Sequence, residues 1–410
     1  MNPTETEINL KETLKKERMY VLILAAIQVA HILDFVIMMP LGPRFMRVFS
    51  ISPVEFSTLV SAYTFSAGIV GFTAALYADH FDRKKFLLFN FAGFIIGTFL
   101  CAISTNFTYL LIARVIAGAF GGIVNAAVLS LVADLIPFSR RGNAMGVVMS
   151  SFSIASIAGI PLGLYVANTF DWHWTFHLIW LLGAIFWIMS LVILPKANTP
   201  PQKRSLKDNL KNFKKILTQT DYLLAFSFTS MLAFGVFTVI PFISAYMVRN
   251  VGLTELQLPY IYLFGGICTI VMARVIGKLS DKLGSFTMFA TVAGISIIPI
   301  FLLTNLPQVS LVYALIVTSL FTMFGSTRFI PAMTLVSAVV KPQDRGTFMS
   351  LENAARQLSS GFASQIAGLI IGAGAAGELT NYNVVGYICI LGTIFAILIA
   401  RVLKNKFNLR

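Results

Sequence analysis

Two charged residues interrupt long apolar stretches in the first third of the chain, and their types suit the handling of a proton or an ion. Asp34 lies in the apolar stretch 20–40, and Arg114 lies in the stretch 107–133. If both stretches cross a bilayer as helices, a rise of about 1.5 Å per residue puts the two side chains at similar depths. A charge at the bilayer centre costs roughly 3 kcal/mol on insertion scales, so each side chain needs a partner or a water-filled cavity. We therefore predict that Asp34 and Arg114 face each other as a proton-coupling pair, or alternatively as a static structural ion pair.

Two further polar residues belong to the stretch that contains Asp34. His31 precedes Asp34 by about one helical turn, so it is placed either to extend the pair into a proton relay or merely to hydrogen-bond a neighbour. Gln28 lies about one turn before His31. We predict that Gln28 contacts a bound solute.

The second half of the chain has its own charged residues within apolar stretches. Glu352 and Arg356 are spaced i, i+4, so they either pair along one helix or contact a solute. Arg328 lies in the preceding stretch. Within these stretches arginines outnumber carboxylates, which indicates an anionic group on the solute, because guanidinium groups bind carboxylates and phosphates well. We predict solute contacts for Arg328, Glu352 and Arg356.

The composition indicates the surroundings of these residues. Hydrophobic residues form 57% of the chain and charged residues 12%, about half the charged fraction of a soluble domain. A run of about 20 apolar residues crosses a bilayer as a helix. Six such runs occur in each half, at 20–40, 57–78, 86–104, 107–133, 144–167 and 175–194, and at 222–248, 259–277, 286–304, 309–338, 348–373 and 383–403. The predicted fold class is all-α, a polytopic membrane protein with twelve transmembrane helices.

The distribution of basic residues predicts the orientation in the membrane. Of the 31 Lys and Arg residues, only Arg44, Arg47 and Arg249 fall in odd-numbered loops, whereas most of the others lie in tails and even-numbered loops. By the positive-inside rule both termini are then cytoplasmic, and we expect the chain in the plasma membrane, the inner membrane of a bacterium. The net charge of +14 then faces anionic lipid headgroups, and no nucleic-acid partner is expected.

Two landmarks recur at nearly one offset, which indicates an internal duplication. Asp79 and Asp281 are 202 positions apart, and Arg141 and Arg345 are 204 apart. Each Asp follows an apolar stretch and precedes basic residues, so it is placed to pair with a cation or a helix N-terminus at the inner face. We predict that these loops latch the inner face shut, with a plain loop-folding role as the alternative. The predicted gating residues are Asp79, Arg83, Lys84, Gly277, Asp281, Lys282 and Gly284.

The remaining segments set the predicted domain boundaries. The segments are a cytoplasmic tail (1–19), a first six-helix bundle (20–194), a linker (195–221), a second six-helix bundle (222–403) and a cytoplasmic tail (404–410). In the linker, apolar residues recur at helical spacing among lysines. This pattern predicts an amphipathic helix on the inner leaflet, or else a solvated tether.

The sequence gives no sign of cofactor or enzyme chemistry. Cys101, Cys268 and Cys389 lie in apolar runs without metal-ligand spacing, and the four histidines are scattered. We therefore expect no catalytic residue, metal or cofactor, and we expect a monomer. A channel or passive uniporter, which needs no titratable residue, stays open as an alternative.

Two motifs carry a resemblance to a known family. The loop after the second apolar stretch approximates Gly-x-x-x-Asp-Arg-x-Gly-Arg-Lys, and so does its second-half copy. The matches are Asp79, Arg83 and Lys84 in the first copy, and Gly277, Asp281 and Gly284 in the second. The fourth stretch matches Leu-x-x-x-Arg-x-x-x-Gly at Leu110, Arg114 and Gly118. On these motifs the whole chain resembles the major facilitator superfamily.

The resemblance implies two pseudo-symmetric six-helix bundles that rock around a central cavity, and it implies a role for Arg114 in proton coupling. With twelve stretches and a polar first helix, the chain is similar to the drug:proton antiporter branch, including its sugar-efflux-like members. The expected function is secondary active transport by alternating access, with protons driving export of a small amphipathic or anionic solute. The alternatives are a passive uniporter and a proton symporter for a small organic solute.

Glycines in the fourth and fifth stretches are predicted helix-packing positions. Gly118 and Gly122 are spaced i, i+4, which lets a neighbouring helix approach closely. The fifth stretch approximates the antiporter motif Gly-x-x-x-Gly-Pro-x-x-Gly-Gly. Its matching residues are Gly159, Pro161 and Gly163. The sequence departs from that motif at Ile160, where a glycine is expected, and it lacks the closing pair of glycines.

Overall fold

Nearly all of the chain is helical. A computed structural model describes residues 3–196, 206–341, 344–375 and 377–408, without the side chains of residues 3–11, 79 and 206–209. The first half of the chain, residues 3–196, contains α1 (Pro3–Ile37), α2 (Gly42–Val48), α3 (Pro53–Tyr77), α4 (Arg83–Ala102), α5 (Phe107–Leu135), α6 (Phe138–Met149), α7 (Ser151–Ile154), α8 (Ile160–Thr169) and α9 (Trp172–Ile193). A linker helix follows, α10 (Leu206–Thr218).

The second half of the chain begins directly after the linker helix. It contains α11 (Thr220–Val239), α12 (Ile243–Arg249), α13 (Leu258–Leu283), α14 (Ser285–Thr304), α15 (Leu311–Thr327), α16 (Phe329–Val339), α17 (Arg345–Ile370) and α18 (Tyr382–Phe407). Between α17 and α18, a short antiparallel pair joins β1 (Gly372–Ala373) to β2 (Leu379–Thr380), with Gly372 opposite Thr380.

Eleven segments among the described residues are long and apolar enough to cross a membrane, and some of them join two or three consecutive helices. They coincide with eleven of the twelve predicted stretches. The remaining stretch, 348–373, corresponds to α17. This helix has 26 residues, a length of about 39 Å at 1.5 Å per residue, but it is less apolar because it carries Arg345, Glu352 and Arg356.

Proline explains two irregular points in the helices. A π-helical turn, Ala155–Gly159, separates α7 from α8, and Pro161 follows it in the first turn of α8. Pro161 has no N–H to donate, and its ring clashes with the carbonyl four residues earlier, so the helix widens into a π turn there. Pro331 lies three residues after Arg328, the residue that separates α15 from α16, and it likewise has no N–H to donate to the carbonyl four residues earlier.

The largest apolar core that the two halves share lies at one end of the helices. This end holds the loops that the sequence assigns to the outside, and we call it the outer face. The largest cluster of buried apolar residues lies there and draws on both halves, with Met38 and Phe45 from the first and Phe242 and Met247 from the second. At the opposite end, the inner face, one buried cluster belongs to the first half and another to the second half and the linker helix.

Helices α3 and α17 form the most extensive contact between the halves. The amide oxygen of Gln365 on α17 accepts a hydrogen bond of 2.9 Å from the hydroxyl of Ser61 on α3. Glycines bring the two backbones close together, since a Cβ added at Gly68 would lie 2.6 Å from Cγ of Leu358. The contact therefore leaves little room for bulk between the two helices.

The linker helix α10 packs on the protein with its apolar face. Ile216 is fully buried, and the ring of Phe213 lies edge-on to that of Phe72 on α3, with centroids 6.3 Å apart. Lys215 Nζ lies 2.9 Å from Asp344 Oδ2, next to the start of α17. The linker helix thus contacts both halves at the inner face.

Candidate functional site

A fully buried ion pair lies inside the first half. Arg114 Nη1 on α5 lies 2.8 Å from Asp34 Oδ2 on α1, and neither side chain is exposed. The Thr98 hydroxyl on α4 lies 3.0 Å from the other carboxylate oxygen of Asp34. The three helices thus enclose the carboxylate with one cation and one neutral donor. The attraction between two charges is strong in such surroundings, because few dipoles of water or protein are close enough to screen it.

An aromatic ring connects this pair to His31. The guanidinium carbon of Arg114 lies 4.5 Å from the centre of the Tyr63 ring, which is cation–π distance. The Tyr63 hydroxyl lies 3.1 Å from His31 Nε2, and either atom can be the donor. Asp34, Arg114, Tyr63 and His31 therefore form one continuous buried group on α1, α3 and α5.

Close packing of α5 on α3 holds Arg114 against Tyr63. A Cβ at Gly118 would lie 2.3 Å from the Tyr63 carbonyl oxygen, and a Cβ at Gly122 would lie 2.5 Å from the Ala67 carbonyl oxygen. Only glycine allows this approach of the two backbones at both positions. The geometry of the buried group thus requires glycine at positions 118 and 122 of α5.

The glycines of the fifth stretch pack against the helix of Asp34. A Cβ at Gly159 would lie 2.8 Å from Leu33 Cδ1, and a Cβ at Gly163 would lie 2.9 Å from Ile37 Cδ1. Pro161 lies between them at the start of α8. The same segment also reaches the second half, because a Cβ at Gly266 would lie 2.5 Å from Ile157 Cγ1 in the π turn.

Gln28 is a buried residue of α1 that lies about one helical turn from His31, toward the inner face. Its Nε2 donates a hydrogen bond of 2.9 Å to Oδ1 of Asn125 on α5. Gln28, His31 and Asp34 occupy successive positions three residues apart, so they lie along one side of α1. The predicted solute contact of Gln28 stays a prediction.

The charged residues of α17 lie apart from this group. Arg356 Nε lies 3.5 Å from Glu352 Oε1 along the same helix, and Arg356 Nη2 donates to Asn353 Oδ1 at 2.9 Å. Glu352 is buried, whereas over a third of the Arg356 side chain is exposed. The structure thus places the two as the i, i+4 pair that the spacing allows, and a role in solute binding stays a prediction.

Arg328 is fully buried inside the second half. Its Nη1 lies 2.8 Å from Thr393 Oγ1 on α18 and 3.2 Å from Ser296 Oγ on α14. It forms no ion pair with any carboxylate whose side chain the structure describes. Arg328 therefore contacts α14 and α18, whereas Glu352 and Arg356 contact each other on α17.

Two predicted gating residues of the first half, Arg83 and Lys84, have polar contacts only with their own half among the described side chains. Arg83 Nη1 lies 2.5 Å from Asp134 Oδ1 at the end of α5. Lys84 Nζ donates to the carbonyl oxygens of Leu191, at 3.0 Å, and Leu194 at the end of α9. The side chain of Asp79 lies outside the described residues.

In the second-half copy, the loop between α13 and α14 is built on a glycine. Gly284 has a φ of 89°, a backbone region that favours glycine. Asp281 and Lys282 are exposed, and nothing lies within 4 Å of a Cβ built at Gly277. No contact between these residues and the first half occurs among the described side chains.

The outer face carries ionic contacts between the halves. Arg47 Nη1 lies 2.6 Å from Glu255 Oε1, and Arg44 Nη2 lies 3.3 Å from Glu255 Oε2. Asn168 Nδ2 donates to the backbone carbonyl of Glu255 at 3.2 Å. Three residues of the first half thus converge on a single acidic residue of the second.

Sequence reasoning missed three residues that contact the predicted site residues of α1 and α5: Tyr63, Thr98 and Asn125. Asn125 was detectable as a polar amide within an otherwise apolar stretch. Tyr63 and Thr98 were not, because Tyr and Thr are common in these helices and only the packing of α3 and α4 selects them.

Comparisons with known proteins agree over most of the chain. A family model described as the Major Facilitator Superfamily matches residues 24–364. An uncharacterized MFS-type transporter of Bacillus subtilis (strain 168), YceJ, is 25% identical over 82% of this chain and 85% of the relative. Multidrug resistance protein 2 of the same organism is 25% identical over 68% of this chain and 71% of the relative.

A solved structure has the same fold. It is that of a bacterial homologue of the human lysosomal transporter Spinster, in an inward-facing and unoccupied conformation. It matches with a TM-score of 0.74 over 95% of this chain and 98% of that chain, at 15% identity.

The family model covers well over half of the chain, and the apolar helices fit an integral membrane protein. The family and the solved structure point to a transporter of small molecules rather than an enzyme. The chain belongs to the Major Facilitator Superfamily.

Proposed function

We propose that this chain is a proton-coupled secondary transporter that exports a small solute by alternating access. In this proposal α17 also crosses the membrane, as the eleventh of twelve transmembrane helices in chain order, and the two halves of the chain are two six-helix bundles. The recurrence of the Asp79 segment at Asp281, 202 positions later, supports the two-bundle arrangement. The resident membrane is the plasma membrane, with both termini cytoplasmic, as the distribution of basic residues predicts.

The contacts between the halves support an inward-open state. The outer face combines a shared apolar core with the ionic contacts of Glu255 to Arg44 and Arg47. At the inner face, Arg83 and Lys84 contact only their own half. Export then requires that the halves tilt, so that the outer contacts break and the inner loops meet.

The single observation that carries proton coupling is the isolation of Asp34 with Arg114. At 2.8 Å and without exposure, the pair has no solvent path in this state. A change of state that wets the site lets Asp34 take up a proton, which weakens its attraction for Arg114. Protonation of Asp34 and tilting of the two halves are then linked, because the charged Asp34–Arg114 pair stabilises the closed packing of α1, α4 and α5.

The proposal of export is supported by the similarity to Multidrug resistance protein 2. The solute would contact Gln28 on α1 together with Glu352 and Arg356 on α17, the polar and charged residues that the sequence predicts as solute contacts. The exposed part of Arg356 suits an anionic or amphipathic solute.

The test is transport by the purified protein in proteoliposomes with an imposed pH gradient. A panel of organic anions, sugars and cationic dyes identifies the solute class. We expect accumulation that stops when a protonophore collapses the gradient. Flux that ignores both the pH gradient and the membrane potential would instead support a passive uniporter with Asp34 and Arg114 as a static pair.

A further inference from the structure

Arg328 is the second arginine that is fully buried, and its surroundings differ from those of Arg114. It lies at the break between α15 and α16, inside the second half. The nearest helices are α14 and α18, which supply Ser296 and Thr393. The guanidinium is therefore enclosed within the second half and does not face the first.

The contacts of Arg328 are with neutral groups only. Thr393 Oγ1 and Ser296 Oγ donate their own protons to the carbonyl oxygens of Cys389, at 2.9 Å, and Ala293, at 2.7 Å. Both hydroxyl oxygens therefore serve Arg328 as acceptors, and neither brings a negative charge. Among the described residues, Nε and Nη2 of Arg328 have no hydrogen-bond partner in bonding geometry, and the neutral thiol of Cys389 lies beside the guanidinium.

No carboxylate among the described side chains compensates the charge of Arg328. Arg114, equally buried, has the carboxylate of Asp34 at 2.8 Å, whereas no described carboxylate lies within ion-pair distance of Arg328. A guanidinium keeps its proton in proteins, so Arg328 cannot escape the cost of burial by becoming neutral. A buried cation in a membrane helix bundle calls for a counter-charge.

The helix next to Arg328 leaves some space. Gly325 lies one turn before Arg328 on α15 and is buried, yet a Cβ built there would meet no atom within 4 Å. The site is enclosed by helices of one half only, so the space suits a small ion better than an organic solute.

We propose that Arg328, with Ser296 and Thr393 beside it, forms a binding site for a small monovalent inorganic anion of the size of chloride. The anion accepts hydrogen bonds from Nε and Nη2 and neutralises the charge within the second half. This site is separate from the Asp34–Arg114 group, and its existence does not depend on the direction or coupling of transport.

The test is the thermal stability of the purified protein in about 150 mM sodium chloride against sodium gluconate at equal ionic strength. We expect the wild-type Tm to be higher in chloride by roughly 3 °C or more, since a ligand that binds only the folded state stabilises it. Arg328→Met should lose this difference. Arg274→Met, which removes an exposed arginine on α13, is the matched control and should keep it.

A second variant keeps the test decisive if Arg328→Met does not fold. Thr393→Val removes the acceptor at 2.8 Å from Arg328, so the guanidinium should depend more on the anion and the chloride effect should grow. Broadening of the chloride NMR signal by the wild-type protein, reduced in Arg328→Met, gives a direct reading of binding. A wild-type Tm that is equal in both salts, or an unchanged chloride effect in Arg328→Met, would overturn the proposal.

Discussion

The carboxylate of Asp34 and the guanidinium of Arg114 stand 80 positions apart in the chain and meet at 2.8 Å with neither side chain exposed. Their helices, α1 and α5, are held by different contacts, α5 by its glycines against α3 and α1 by the glycines of the fifth stretch. The packing of α1 and the packing of α5 therefore both position the pair. Its charges add an interaction that depends on the protonation of a single carboxyl group.

The first prediction concerns the energetic coupling of this pair. Removing one partner leaves the other as an unpaired buried charge, so Asp34→Asn or Arg114→Gln alone should destabilise the protein by about 3–5 kcal/mol. The double variant leaves no charge unpaired and should lose less than the sum of the two. Thermal unfolding of all four proteins in one detergent measures this coupling, and strictly additive losses would contradict a paired site.

The second prediction concerns the approach of α5 to α3. Gly118→Val places side-chain atoms against the Tyr63 backbone, where even a Cβ would lie 2.3 Å from the carbonyl oxygen. We expect a loss of roughly 1–3 kcal/mol or more, as in overpacked cores, and a loss of transport because Tyr63 and Arg114 separate. Gly146→Ala is the control: it lies on α6, is exposed and has no atom within 4 Å, so its Tm should not fall.

The third prediction concerns the ionic closure of the outer face. Glu255→Gln removes the charge that holds Arg44 and Arg47 across the halves and should shift the population toward an outward-open state. Spin labels at the exposed positions Tyr109 and Tyr313 report this shift as a longer distance by double electron–electron resonance.

The control for the outer closure is Glu55→Gln. Glu55 lies at the same face, and its side-chain hydrogen bonds among the described residues are all with Ser52 of its own half. Its distance distribution should match that of the wild type. A Glu255→Gln distribution that also matches the wild type would show that the apolar core alone closes this face.

The fourth prediction concerns the pH dependence of the linker contact. Burial raises the pKa of the Asp344 carboxyl, but hydrogen bonds from Lys215 and Tyr222 outweigh it, so the net pKa lies below the ordinary value of 3.8. A carboxyl whose pKa is depressed by folding stabilises the folded state above pH 3.8, and this stabilisation is lost as the pH falls through its lowered pKa.

Asp344→Asn should therefore lower the Tm at neutral pH by a few degrees, about the effect of one charged hydrogen bond. The difference from the wild type should shrink below pH 3.8. Asp82→Asn at the start of α4, a half-buried helix cap of the first half, is the comparison for a carboxylate outside this contact. A difference that stays constant at all pH values would argue against the charge of Asp344 as the cause.

The pairing of Asp34 with Arg114 was predictable because charges are rare in apolar helices, and depth along each helix follows from residue counting. The family was equally accessible from the Asp79 and Arg114 motifs, and the family model confirms it. Tyr63 and Thr98 could not be chosen from the sequence, since their roles depend on the rotation of α3 and α4 about their axes. The ionic closure by Glu255 was also hidden, because it joins loops 208 positions apart whose meeting depends on the conformational state.

The lower apolarity of α17 shows a further limit of hydropathy. Its charges Glu352 and Arg356 reduce the membrane signal, but they pair with each other along the helix. The proposal that α17 crosses the membrane therefore rests on its length and its packing against α3 and not on its composition.

The most direct measurement of the central claim compares two transport modes in proteoliposomes containing wild-type protein or Asp34→Asn. One mode is transport driven by an imposed pH gradient, and the other is exchange of labelled for unlabelled solute without a gradient. If Asp34 carries the coupled proton, the variant should keep exchange within about tenfold of the wild type and lose pH-driven accumulation, a barrier change of at most 1.4 kcal/mol for exchange. Wild-type accumulation by Asp34→Asn under the same gradient would contradict the account.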